Sequence, residues 1–174
     1  MPEIQLLRAD HAAALRAFEW ENRAYFAESV PDRGDAYFTG FAARHEALLA
    51  EQAAGLGWFH LVVDGDGEVL GRVNLIDAAD GEAELGFRIA RKATGRGLAT
   101  DVVRRICARA AHEYGLTSLR AAATLDNAGS RAVLIRTGFV PAGETVLDGR
   151  PARCFSLALA VPDGEGRPVR VSSV

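Results

Sequence analysis

Two glycines one residue apart stand in the run Thr94-Gly95-Arg96-Gly97-Leu98-Ala99. Before them, Glu84-Leu85-Gly86-Phe87-Arg88-Ile89 alternates with the period of a β-strand. After them, Ala99, Val102, Val103, Ile106 and Ala110 recur at the spacings of one helix face. The first N–H groups of a helix lack intrahelical partners, and the helix dipole adds partial positive charge at the same end. Gly95 and Gly97 allow backbone to approach a ligand with no Cβ between them, and Ala99 is also small. The pattern predicts capture of a pyrophosphate or similar anion by backbone amides, with Arg96 as an added charge contact. The same glycines would also serve a tight strand-to-helix connection that binds nothing.

Rival phosphate motifs are broken. Thr100 stands where a dinucleotide fingerprint places its third glycine, no acidic residue ends a strand about twenty positions later, and no Gly-Lys-Ser/Thr occurs. Cys107 and Cys154 form no CxxC and read as buried free thiols. His11, His45, His60 and His112 show no metal-ligand spacing, so no metal site is expected.

Downstream, Asn127-Ala128-Gly129-Ser130, then Val133-Leu134, then Gly138-Phe139 follow the glycine turn in order. Together the two segments resemble the GCN5-related N-acetyltransferase (GNAT) superfamily, with its motif Q/R-x-x-G-x-G/A and a later N-x-x-S/A segment ending in G-F. The Glu84-Leu85-Gly86-Phe87 run before the turn and the N-x-x-S after it are most similar to the ribosomal-protein N-terminal acetyltransferase branch, over about residues 58–155. Thr94 replaces the usual Gln or Arg, and Leu134 stands where many members carry a tyrosine that protonates the leaving thiolate.

The resemblance implies acetyl-CoA as co-substrate and transfer of its acetyl group to a primary amine, on a protein N-terminus or a small molecule, by direct attack in a ternary complex. It implies cofactor contacts from Phe87, Ile89, Thr94, Gly95, Arg96, Gly97, Leu98, Ala99, Thr100, Asn127 and Ser130. Backbone N–H groups around Phe87 to Ile89 would serve the developing oxyanion. Glu84 matches the family's catalytic glutamate, a base for the ammonium proton. Glu82, nearer the turn at Gly81 and more exposed, is the rival; Glu84 as a plain ion-paired strand residue is the other reading. Ser130 would protonate the thiolate, although a serine near a helix start also bonds local backbone. Asn127 fits a pantetheine contact and equally a helix cap. Trp20, Tyr25, Phe26, Tyr37 and Phe38 offer aromatic surface for an acceptor groove formed by the first helices and the late hairpin, most of it expected in the core. A non-catalytic acyl-CoA-binding sensor or scaffold is the alternative; a nucleotide-binding oxidoreductase or kinase is disfavoured by the broken motifs.

The elements that position these residues read as β-α-α-β-β-β-α-β-α-β-β. Ile4–Arg8 is a strand, Asp10 an N-cap for a helix carrying Ala14, Leu15, Phe18 and Ala24, and residues 35–54 a second helix stopped by Gly55. Strands follow at Trp58–Val63, Val69–Ile76 and Glu84–Ile89, then a helix to Gly115, a strand at Leu119–Thr124, and a helix from Ala128 to Thr137. Thr145–Leu147 and Ala152–Leu159 close as strands around Asp148-Gly149-Arg150. This describes one α/β domain, residues 1–161, with a mixed and mostly antiparallel central sheet flanked by helices, and a flexible tail at 162–174. The 174 residues suit one domain. A net charge of −3 with scattered basic residues argues against a nucleic-acid partner. No signal peptide or long apolar run is seen, so a cytoplasmic protein off the membrane, monomeric or homodimeric, is expected.

Overall fold

The computed structural model describes residues 1–160; the tail expected from residue 162 lies outside the described residues. Strands β1 (Glu3–Leu6), β2 (Trp58–Val63), β3 (Val69–Ala79), β4 (Glu82–Ile89), β5 (Ser118–Thr124), β6 (Val140–Leu147) and β7 (Arg150–Ala158) form one sheet in the order β1-β2-β3-β4-β5-β7-β6. Short turns join the antiparallel pairs β2–β3, β3–β4 and β6–β7, with Gly67 and Gly81 in the left-handed region at φ 85° and 79°. The one parallel pair is β4 with β5, as the long crossover through helix α5 (Leu98–His112) requires. Only Glu82, Ala83 and Glu84 pair with β5, opposite Ser118, Leu119 and Arg120. Beyond Glu84 the two strands part.

Helices α5 and α6 (Ala128–Arg136) cover one face of the sheet. Val102, Val103, Ile106 and Ala110 are buried there with Ala83, Leu85, Leu119, Ala121 and Ala123. The other face, over β1 to β4, is covered by α1 (Ala12–Glu21), α2 (Arg23–Ala27), α3 (Asp35–Thr39) and α4 (Phe41–Ala53). Leu15, Phe18, Phe26, Tyr37, Phe38 and Phe41 pack there with Phe59, Leu61 and Val63. Each such side chain contributes about 1.5–3 kcal/mol on burial. Period-two alternation in the strands thus sends alternate residues to two separate cores.

The expected helix boundaries need correction. Asp10 is not an N-cap: it lies inside a short 3₁₀ turn, Ala9–His11, and pairs with Arg8 at 3.0 Å. The Arg8 N–H goes instead to His11 Nδ1 at 3.1 Å, and α1 begins at Ala12. Asn22 separates α1 from α2, its side-chain amide donating to Phe18 O at 2.9 Å, so Ala24 belongs to another helix and is exposed; Ala14 is exposed too. Such local side-chain bonds compete with helix continuation. The stretch 35–54 is broken at Gly40, the poorest ordinary helix former. Strand β6 starts at Val140, earlier than Thr145, because a bulge between Pro141 and Glu144 and an almost wholly exposed strand remove the alternation that would reveal it. Cys107 and Cys154 are free and half-buried, and burial pushes the Cys107 thiol up to about 11.

Candidate active site

The site is built around the start of α5. Gly97 is its N-cap at φ 75°, and Gly95 sits at φ 77°. A Cβ added at either would meet no atom within 4 Å. The left-handed backbone demands glycine here, and the space a side chain would enter is open to a ligand. Thr94 Oγ1 donates to Arg91 O at 2.8 Å, so its hydroxyl is committed to the preceding turn. Asp101 N–H bonds back to Gly97 O at 3.1 Å, which leaves the N–H groups of Leu98, Ala99 and Thr100 at the helix end for an anion.

A groove of about 490 Å³ opens over this turn, within the range of small-molecule sites. Phe87, Ile89, Thr94, Gly95, Gly97, Leu98, Ala99, Thr100, Asn127 and Ser130, all expected as cofactor contacts, line it. Arg96 is exposed and is not part of the groove wall. The groove runs on into a second cavity of about 150 Å³ in the gap between the parted strands, lined by Leu85, Gly86 and Phe87 on one side and Ala121 to Thr124 on the other. Ser29, Val30, Phe87, Asn127 and Ser130 border both spaces.

Asn127 Oδ1 accepts the Ser130 N–H at 3.2 Å and caps α6, the helix-cap role expected of it, and Asn127 also lines the groove. That bond uses the backbone of Ser130 and leaves its hydroxyl out. Leu134 is buried at the inner end of the second cavity and presents no hydroxyl there.

Glu84 holds the last register pair before the strands part, its side chain 36% exposed and its Oε2 3.9 Å from Arg120 Nε. Glu82 is more exposed, at 44%, yet more tightly held. It accepts Arg120 Nη1 at 2.5 Å and Ser118 Oγ at 3.1 Å. These bonds from Arg120 and Ser118 keep its carboxyl below the usual carboxylate range. Glu84 is not among the groove's lining residues; Leu85, Gly86 and Phe87, next in the strand, are. Gly86 shares the face of Glu84, and open space lies above it.

Sequence reasoning missed Ser29 and Val30 in the roof, and the roof's support. Tyr25, Phe26, Ser29 and Val30 close the groove from α2 and the following loop. Tyr25 and Phe26 therefore do border the site, whereas Tyr37 and Phe38 are core and Trp20 is 53% exposed. Arg150, the first residue of β7, donates to Ser29 O at 3.4 Å and joins the end of the β6–β7 hairpin to the roof. Below the roof Glu19, 2% exposed, accepts Arg72 Nη1 at 2.8 Å and Arg88 Nη1 at 3.0 Å. Burial alone would raise its pKa, but Arg88, Arg72 and Arg33 outweigh that and hold the carboxyl below its ordinary value. The sequence signal was present: Glu19 follows Leu15 by four and Phe18 by one, on the inward face of α1.

Among the described residues, no group of three or more His, Cys, Asp or Glu is placed to hold a metal ion, and no helix is long and apolar enough to cross a membrane.

Against known proteins, the family model described as acetyltransferase (GNAT) domain matches residues 3–140. A curated relative from Bacillus subtilis (strain 168), "Putative ribosomal N-acetyltransferase YdaF", is 33% identical over 81 residues. That match spans 45% of this chain and 44% of that protein, under half its length. Among solved structures, ribosomal-protein-S5-alanine acetyltransferase from Vibrio fischeri is similar with a TM-score of 0.85 at 20% identity, covering 96% of each chain. Mycobacterium smegmatis RimJ in complex with CoA-disulfide gives 0.79 at 22%, covering 89% of this chain and 80% of that one. At these identities the likeness establishes a shared fold.

Proposed function

We propose that the chain, which belongs to the acetyltransferase (GNAT) domain family, is an acetyl-CoA-dependent N-acetyltransferase that acetylates a primary amine, on a protein N-terminus or a small molecule, by direct attack in a ternary complex. The observation that carries this reading is the continuity of the groove: an anion-binding helix end at Gly95 to Thr100 opens into the gap where β4 and β5 separate. The residues fit acetyl-CoA, because both glycines face open space and the free N–H groups of Leu98 to Thr100 suit its pyrophosphate. Ten of the expected contacts line that groove.

When bound, acetyl-CoA supplies a thioester whose carbonyl carbon the amine nitrogen attacks; the C–S bond breaks, and an acetyl amide and the CoA thiol leave. The parted strands leave those β4 backbone groups beyond Glu84 that β5 would otherwise have bonded available to the acyl and pantetheine chain. Glu84 takes the ammonium proton, directly or through water, at the edge of the gap. An α-amino group, with a pKa near 8, is partly neutral at physiological pH and needs less help than a lysine near 10.4. The Ser130 hydroxyl is the proton source for the departing thiolate, replacing a phenol that Leu134 cannot supply. The name of the Bacillus subtilis relative, which calls it a ribosomal N-acetyltransferase, supports a ribosomal acceptor. We place the activity in the cytoplasm, in the domain of residues 1–161, acting as monomer or homodimer.

Release of the CoA thiol with a panel of peptide and small-molecule amines, beside direct acetyl-CoA binding, tests the reading. Amine-dependent release is expected. Tight acetyl-CoA binding with no acceleration by any amine would overturn transfer and favour an acyl-CoA-binding sensor or scaffold.

A further inference from the structure

Arg33, Arg72 and Arg88 converge on one carboxylate. Beyond its bonds to Arg72 and Arg88, Glu19 Oε2 lies 3.7 Å from Arg33 Nε, too far for a hydrogen bond, and that buried Nε has no partner. On the outer side of Arg33 a cleft of about 480 Å³ opens, lined by Arg33, Ala36, Tyr37, Gly40 and Arg44. The Arg33 and Arg44 guanidinium carbons lie 4.6 and 5.3 Å from the Tyr37 ring centroid, and Arg72 Nη1 lies 3.4 Å from the Tyr37 hydroxyl, which accepts from it.

Charge balance distinguishes this cleft from an ordinary solvated surface. Arg44 is exposed and has no ion-pair partner among the described residues. Asp32 and Asp35, the acids nearest Arg33 in sequence, are both taken by Arg23, at 2.8 and 2.9 Å. Among the described residues, Glu19 is the one carboxylate paired with Arg33, Arg72 and Arg88, and Arg44 pairs with none, in a chain whose net charge is −3. Burial and the neighbouring Arg88 pull the Arg33 guanidinium below its usual range, as an unneutralised cluster would. Guanidinium forks match the geometry of carboxylate and phosphate oxygens, and charge-assisted bonds to them are the strong ones.

We propose that Arg33, Tyr37 and Arg44 form a binding site for one oxyanion, a carboxylate or phosphate group, separate from the acetyl-CoA groove. Arg33 follows Ser29, Val30 and Pro31, which wall the second cavity. An anion that holds Arg33 also holds that wall, so the site is coupled to the acceptor side of the groove. The anion is either free in solution or a carboxylate borne by the acceptor itself.

Calorimetric titration of inorganic phosphate into the full chain, with R44Q and R33Q beside it, reads the site without acetyl transfer, so its result is independent of the proposed activity. Saturable binding in roughly the millimolar range is expected, weakened about tenfold by R44Q, whose exposed side chain makes no contact that folding needs. Two amine acceptors differing only by a carboxylate then separate the sources. A rise in KM in R44Q confined to the carboxylate-bearing acceptor assigns the anion to the acceptor, and a phosphate effect equal on both assigns it to a free anion. Absence of saturable phosphate binding, or an affinity unchanged in both R44Q and R33Q, overturns the site.

Discussion

Glu84 of β4 faces Arg120 of β5 at the last of the three register pairs that join these strands, with 3.9 Å between Glu84 Oε2 and Arg120 Nε. Two residues earlier on the same face, Glu82 takes the stronger Arg120 bond. Arg120 is thus largely spent on Glu82, and the carboxylate at the edge of the gap is the freer of the two.

Glu84→Gln is expected to lower kcat by about 10²-fold or more, the usual worth of a general base, while acetyl-CoA affinity stays unchanged. Glu82→Gln should leave kcat within a few-fold. Steady-state rates with parallel binding measurements check both, and an unchanged rate in the Glu84 variant removes it from the reaction.

Gly97→Ala puts a Cβ at φ 75°. That costs roughly 1–2 kcal/mol of backbone strain, and it fills the open space over the turn. We expect a raised KM for acetyl-CoA at the same KM for the amine, read from a two-substrate kinetic matrix.

Ser130→Ala should slow turnover by less than about 10²-fold, since a thiolate leaves tolerably unaided. Because Asn127 holds the Ser130 backbone N–H, denaturation midpoints should not move. Asn127→Ala, in contrast, should cost about 1 kcal/mol of stability as a lost cap.

Glu19→Gln leaves Arg72 and Arg88 without their buried counter-charge. A loss of about 3–5 kcal/mol is expected, with a thermal midpoint lower by roughly 10 °C. Differential scanning calorimetry of the purified variant reads it.

His60, fully buried, titrates at about 4, chiefly because burial disfavours its charged form. Its Nδ1–H donates to Val73 O at 3.1 Å and its Nε2 accepts the Tyr114 hydroxyl at 2.7 Å, so the neutral ring is the bonded one. The folded pKa lies below the unfolded value of 6.5, so this stability is present above pH 6.5 and is lost as pH falls toward 4. By pH 5 it amounts to about 2 kcal/mol. Urea titrations at pH 7 and pH 5 should show that part of the acid slope missing in His60→Gln.

Residues adjacent in the chain made the cofactor side legible. The left-handed glycines, the helix start and the Asn127 cap are local features whose conformations follow from residue type, so Gly95 to Thr100 and Asn127 to Ser130 could be placed before any packing was known. The nearly exposed β6 and the breaks at Asn22 and Gly40 were not legible, because no burial period marks the first and single side-chain bonds decide the others.

Pairings distant in sequence were decided by tertiary structure alone. Which glutamate Arg120 engages depends on a parallel register 36 residues apart in the chain, and Glu19 meets Arg72 and Arg88 only once α1 packs across β3 and β4. The chain by itself determined a glycine-ended strand-to-helix turn able to hold an anion, because φ preference and free N–H groups are properties of a few consecutive residues. Where β4 leaves β5, and therefore which carboxylate stands at the last register pair before the gap, depended on the assembled sheet, because strand register and separation are set by contacts that no local stretch contains.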